Sequence, residues 1–247
     1  MAFPLSREVS ILSDPESVAQ EAAILFSATA RRAIASTGRF TVALSGGSSP
    51  LRFFSLLASD YRNQVSWQEV HFFWVDERCV PPDQNQSNFK AANKLLLIPL
   101  SFPERNIHRI RGELPPQEAA SEYEQDLRNF FGDKLPLFDL LILGIGEDCH
   151  TASLFPDAPS LREKAHSAIA VYAQHLDSWR VTLTLPALNN SALALFLATG
   201  KGKAKAVAEA VSGKTAETCP AGLVKPSYGK LRWLLDLEAA SGLNLRR

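Results

Sequence analysis

Three short apolar runs, each broken off by a glycine-rich or charged loop, set the strongest limit on what this chain can fold into. They are FTVAL (Phe40 to Leu44), VHFFWV (Val70 to Val75) and FDLLILG (Phe138 to Gly144). The third is nearly all apolar, which suits a strand covered on both faces, as in a parallel sheet. Segments of helical period separate the runs. The first spans about Ser13 to Thr37. Ser13 and Glu16 have capping-box spacing, Pro15 sits in the first turn, and Gly38 is placed to end the helix. Val18, Ala22, Leu25, Phe26 and Ala33 recur along one face. Further helices are expected through Phe53 to Leu57, Asn88 to Leu97, Pro115 to Phe131 and Lys203 to Val211. AIAVY, RVTLTL, ALALFLAT and LRWLLDL read as further strands. The alternation predicts a doubly wound α/β sheet. Ligands of such sheets bind beyond the carboxyl ends of the strands. SGGSSP, DERCVPP, GIGEDCH and TGKGKA each follow a strand directly, so one pocket can collect all four.

The 247 residues fit one large α/β domain or two small ones. Charges balance at 26 against 26, which gives no overall field for nucleic acid or an anionic membrane. An anion must therefore be held by a local cluster of positive groups. No apolar run is long enough to span a bilayer, and MAFPLSREVS lacks the pattern of a secretory signal, so a cytoplasmic location is expected. Cys79, Cys149 and Cys219 are odd in number and widely spaced. They imply neither a metal site nor a disulfide framework.

In SGGSSP, Gly46 and Gly47 allow close backbone approach and Ser48 adds a donor ahead of a helix N-terminus. This reads as a phosphate cradle or as an ordinary glycine turn. It is neither a P-loop nor a dinucleotide fingerprint. In Asp76-Glu77-Arg78, the guanidinium of Arg78 can clamp a phosphate; otherwise the triplet is a surface ion-pair cluster. His150 follows the third strand and suits proton transfer near neutral pH, with Asp148 close enough to orient its ring. The competing reading makes His150 a helix cap. Lys201, at a strand end, can neutralise an anion, while Lys203 and Lys205 read as solvated helix residues. Arg180 begins a strand from which it can also reach a ligand. His71 reads as a packing histidine.

The segments ALSGGSSP, VDERCVPPDQNQSN, FDLLILGIGEDCHTASLFP, RVTLTLPALN, ATGKGKA and PAGLVKPSYGKLRWLLD together resemble the 6-phosphogluconolactonases. The resemblance runs through nearly the whole chain and implies a single domain over residues 1–247. The implied fold is a Rossmann-like α/β/α sandwich with a mostly parallel central sheet, related to glucosamine-6-phosphate deaminases and ribose-5-phosphate isomerases. It also implies a hydrolase without metal or cofactor, acting on a sugar-phosphate lactone as a monomer or weak dimer. Carried over, the roles are His150 as general base, Asp148 as its support, and Arg78, Lys201 and Arg180 on the phosphate. Gly46, Gly47 and Ser48 would supply donors, and Asp76 would bind sugar hydroxyls or fix its loop.

One position departs from the pattern. The family usually has Asp-Gly-His, and here Cys149 stands between Asp148 and His150. Glycine often marks a backbone geometry that a side chain resists, so either the turn accepts cysteine or the loop differs. A Cys/His nucleophile is the alternative this pairing invites. The nearest rival activity is an amino-sugar phosphate deaminase. Deaminases resemble this chain around Asp76-Glu77 but usually carry a glutamate where it has Phe155, and tend to have tyrosine where it has Arg78. A non-catalytic sugar-phosphate sensor is a second rival; it would need the phosphate groups but not Asp148 and His150.

Overall fold

The computed structural model of the chain describes residues 7–212 and 217–244. The reading of the first residues as lacking a secretory signal falls largely outside that range. Seven strands form one parallel sheet: β1 (Arg7–Leu12), β2 (Phe40–Leu44), β3 (Val70–Trp74), β5 (Ile107–His108), β6 (Leu140–Leu143), β9 (Leu193–Ala198) and β10 (Lys230–Asp236). Their order is β1-β10-β9-β6-β2-β3-β5, with parallel pairing throughout. Every residue of β2 and β6 is buried, because helices cover both faces, and this explains the lack of polar alternation in those runs. Edge strand β1 was not expected. Its Glu8 and Ser10 are exposed while Val9, Ile11 and Leu12 are only half-buried, so its apolar signal is weak.

The helices are α1 (Pro15–Thr37), α2 (Leu51–Ala58), α3 (Asn88–Ala92), α4 (Ile98–Leu100), α5 (Pro116–Phe131), α6 (Leu185–Leu188) and α7 (Ala204–Ser212). A π-helical turn, Asn93–Leu97, joins α3 to α4. The α1 cap is Asp14 rather than Ser13: its carboxylate accepts the Ser17 N–H at 2.7 Å. Gly38 ends α1 with φ +76°, the left-handed conformation that glycine adopts without penalty. Helix α1 buries Val18, Ala22 and Phe26 against the sheet. Phe26 meets Phe40 edge-on at 5.2 Å, and Trp233 stacks on Phe196 at 3.9 Å across neighbouring strands. No helix among the described residues is long and apolar enough to cross a membrane.

A second, antiparallel sheet has the order β4-β8-β7, from β4 (Asp76–Arg78), β8 (Ser178–Leu183) and β7 (Ala168–Ala173). The chain leaves β3 at Val75 and crosses into this sheet, with the Val75 carbonyl accepting the Leu183 N–H at 2.8 Å. Buried Tyr123 of α5 closes the break. Its hydroxyl accepts the Trp74 N–H at 3.0 Å and donates to the Trp74 carbonyl at 2.7 Å.

Sequence spacing implied no disulfide, yet Cys149 and Cys219 are bonded. The fold returns Cys219 to the exit of β6 across 70 residues, which linear spacing cannot reveal.

Candidate active site

The four loops marked in the sequence follow β2, β3, β6 and β9, and three of these strands are direct neighbours in the order β9-β6-β2, with β3 next. Their residues line one cavity of about 180 Å³ at the carboxyl ends of the strands. Gly46, Gly47, Ser48, Asp76, Arg78, His150 and Arg180 all lie in its wall.

After β6 the chain makes a tight turn in which Gly146 N–H donates to the His150 carbonyl at 2.8 Å and Cys149 N–H to the Gly146 carbonyl at 3.1 Å. This folds His150 and Asp148 back over Gly146. A Cβ there would lie 2.1 Å from His150 Nδ1 and 2.4 Å from Asp148 Oδ1, so only glycine admits the pair. His150 Nδ1 and Asp148 Oδ1 are 2.6 Å apart. Burial alone would raise the Asp148 carboxyl, but the hydrogen bond and charge of His150 outweigh it and hold the group at about 2. An ionised Asp148 takes the proton-bearing Nδ1, which leaves Nε2 as the basic nitrogen. Phe155 packs between His150 and His175, with ring centroids 4.9 Å from each. The geometry contradicts the helix-cap reading of His150, whose side chain is held by Asp148 beside the cavity.

Cys149 has φ +73°. The turn therefore keeps the left-handed backbone that glycine takes freely, at a cost of roughly 1–2 kcal/mol for a side-chain-bearing residue. Two restraints hold it there: the bond to Cys219 and the Ala221 N–H donated to the Cys149 carbonyl at 3.1 Å. With its sulfur bonded, Cys149 has no thiolate to offer as a nucleophile.

Strand β4 builds the opposite wall. Asp76 is 5% exposed. Its Oδ2 accepts the Ser153 hydroxyl at 2.6 Å, and Oδ1 accepts Asn88 Nδ2 at 3.2 Å. Asp76 thus locks the histidine loop to the loop that follows β4. Glu77 points the other way and gathers four donors: the N–H groups of Arg78 (2.8 Å), Asn88 (2.7 Å) and Phe89 (2.8 Å) and the Ser87 hydroxyl (3.0 Å). Burial pushes its carboxyl above the ordinary value, and these donors only partly offset that rise. All four partners donate, the pattern of an ionised carboxylate. Asn88, so fixed, packs on the glycine loop: a Cβ on Gly46 would sit 1.7 Å from Asn88 Oδ1.

Arg78 and Arg180 face each other across the β4–β8 pairing. Like charges directly opposite are destabilising in a sheet. Neither forms an ion pair with a carboxylate among the described residues, and the Nε atoms of both are buried without a partner. Burial, and then the charge of Arg78, lower the Arg180 guanidinium from its ordinary value. Asp76 and Glu77 offset part of that effect, and two guanidiniums at one cavity wall without an ion-pair partner are suited to hold an anion. Ser45 Oγ, also lining the cavity, is buried without a partner as well.

The lysine reading changes. Lys203, half-buried, lines the cavity, whereas Lys201 is exposed and outside its wall. The backbone N–H of Lys201 instead meets Glu238 at 3.3 Å. The loop after β9 runs through a 3-10 turn, Lys201–Lys203, that turns the third residue inward. In the sequence Ser45 reads only as one of the hydroxyl donors of SGGSSP, and neither Asn88 nor His175 stands out as a site residue. His175 Nε2 lies 3.9 Å from Asp148 Oδ2, a proximity set by the β7–β8 hairpin. His71 packs in contact with Phe130 and His108, as its strand position suggested.

Comparison with known proteins adds independent findings. The family model for glucosamine-6-phosphate isomerases/6-phosphogluconolactonase matches residues 13–233. The chain is 39% identical over 253 aligned residues to a 6-phosphogluconolactonase of Bos taurus, covering 97% of this chain and 95% of that one. A 6-phosphogluconolactonase of Synechocystis is 34% identical, over 98% of this chain and all of its own. The crystal structure of 6-phosphogluconolactonase from Thermotoga maritima superimposes with a TM-score of 0.82 at 31% identity, over 94% of this chain and 100% of that one.

Proposed function

The chain belongs to the glucosamine-6-phosphate isomerase/6-phosphogluconolactonase family, and on that premise we propose that it hydrolyses 6-phospho-D-glucono-1,5-lactone to 6-phosphogluconate. The observation that carries the reading is the single cavity shared by the Asp148-held His150 and the opposed Arg78 and Arg180, neither of which has an ion-pair partner among the described residues. A lactone phosphate needs a base at one end and an anion site at the other.

In this mechanism Arg78, Arg180 and Lys203 hold the phosphate, with Arg78 and Arg180 able to donate in parallel pairs. The Gly46, Gly47 and Ser48 backbone and the Ser45 hydroxyl donate to substrate oxygens. His150 Nε2 takes a proton from water as the water oxygen bonds to the lactone carbonyl carbon. The tetrahedral intermediate collapses, the bond from that carbon to the ring oxygen breaks, and His150 returns the proton to that oxygen. The product is a hydroxy acid that ionises in solution. Asp148 stabilises the imidazolium between the two proton transfers. Asp76 holds the loops in register. Lys201 is not assigned to the phosphate.

A deaminase reading is disfavoured by Phe155, an apolar side chain 8% exposed where an acidic residue is expected. The direct test generates the lactone in place with glucose-6-phosphate dehydrogenase and follows proton release against spontaneous hydrolysis. Acceleration supports the proposal. Binding without acceleration would favour a sensor, and ammonia release from glucosamine 6-phosphate would favour a deaminase.

A further inference from the structure

The Cys149–Cys219 bond lies inside the turn that carries the base, and nothing in the proposed chemistry uses it. Cys149 is flanked directly by Asp148 and His150, and its backbone sits at φ +73°. The bond closes 70 residues of chain, with the two Cα atoms 4.9 Å apart. Its far end, Cys219, opens a short 3-10 turn, Pro220–Leu223, that packs against α7, the helix that starts directly after Lys203. One covalent link therefore joins the His150 turn to the element beside the phosphate lysine. Cys149 Sγ also lies 3.5 Å from the Ala206 carbonyl, an acceptor for an S–H if the bond opens. The third cysteine, Cys79, is unbonded, and burial pushes its thiol up to about 11.

We propose that Cys149 and Cys219 are a reversible oxidation site: bonded, they hold the Asp148–His150 turn in its working shape, and reduced, they release it. Cysteine resists a left-handed backbone that glycine accepts, and the link helps to hold it there. The co-reactant is a dithiol. One of its thiolates attacks a cysteine sulfur and displaces the other as a thiolate, which takes up a proton. Its second thiolate then cleaves the mixed disulfide. Two electrons and two protons pass to the protein, leaving two cysteine thiols and a disulfide-bonded reductant. Both cysteines are almost wholly buried, so exchange requires local opening of the turn.

The activity arm of the test rests on the lactonase reading; the other two do not. Protein purified without reductant is denatured and its thiols titrated, then compared with dithiothreitol-treated protein. One thiol before and three after are expected. Reduction lowers Tm by roughly 5–15 °C, as loss of a link closing so long a loop implies. It lowers kcat roughly tenfold, within the ~10²-fold that a 1 Å misplacement can cost. Cys149→Gly, which restores a residue suited to this φ, loses no activity on dithiothreitol treatment. Three thiols before reduction, an unchanged kcat after it, or equal sensitivity in Cys149→Gly would overturn the proposal. A failure of the lactonase reading would look different: no hydrolysis in either state, with thiol count and Tm still judging the link.

Discussion

In the proposed mechanism the two ring nitrogens of His150 have separate duties: Nδ1 is held by Asp148 at 2.6 Å, and Nε2 is the base toward the substrate. His150→Ala removes the base and keeps the anion site, so kcat should fall roughly 10²–10⁴-fold with little change in KM. Steady-state kinetics on the enzymatically generated lactone check this. The cationic residues should behave in the opposite way. Arg180→Ala and Lys203→Ala should mainly raise KM, and Lys201→Ala should leave it near the parent value. A KM effect at Lys201 equal to that at Lys203 would contradict the placement of the two side chains. At this scale the sequence pointed to Gly46, Gly47, Asp76, Arg78 and His150, which the fold brings to one cavity, and to Asp148 beside His150, because each sits shortly after a strand. It misdirected attention to Lys201, because a turn of three residues decides which lysine faces inward, and spacing alone does not report that direction.

At the scale of elements, the site depends on one crossing of the chain from β3 into β4. Glu77 secures that crossing by accepting four hydrogen bonds from the segment 78–89. Glu77→Ala leaves several buried donors without a partner, each costing about 1–3 kcal/mol, so unfolding in urea should shift by at least ~3 kcal/mol. Glu77→Gln keeps one carbonyl acceptor and should lose less. Equal stability of Glu77→Ala and the parent would refute this role. The long helices were legible by their apolar period, and the central strands by their near-continuous apolar runs. The separate β4-β8-β7 sheet was not, since β8 resembles any half-buried strand and its pairing with Asp76–Arg78 is made across about a hundred residues. That pairing is what sets Arg180 opposite Arg78.

For the whole molecule, the parallel sheet and its carboxyl-end cavity follow from the alternation of elements, and both were legible. The disulfide and edge strand β1 were not, because each is created by chain return rather than by local pattern. A global consequence lies away from the site, at His71. Burial, then the neighbouring charges of His108, Arg39 and Arg105, lower its imidazole to about 4. The unfolded chain binds that proton near 6.5, so protonation favours unfolding between those values. Thermal stability should therefore fall as pH drops from about 6.5 to about 4, and His71→Phe should flatten that part of the profile. An unchanged slope in the variant would contradict the assignment.

The central claim, one cavity joining a histidine base to an anion site, is tested most directly by initial rates of proton release from 6-phospho-D-glucono-1,5-lactone, with the spontaneous rate subtracted. The parent protein should accelerate hydrolysis, and His150→Ala should lose nearly all of that acceleration while still binding 6-phosphogluconate. Hydrolysis at the background rate by the parent, or parental turnover by His150→Ala, would contradict it.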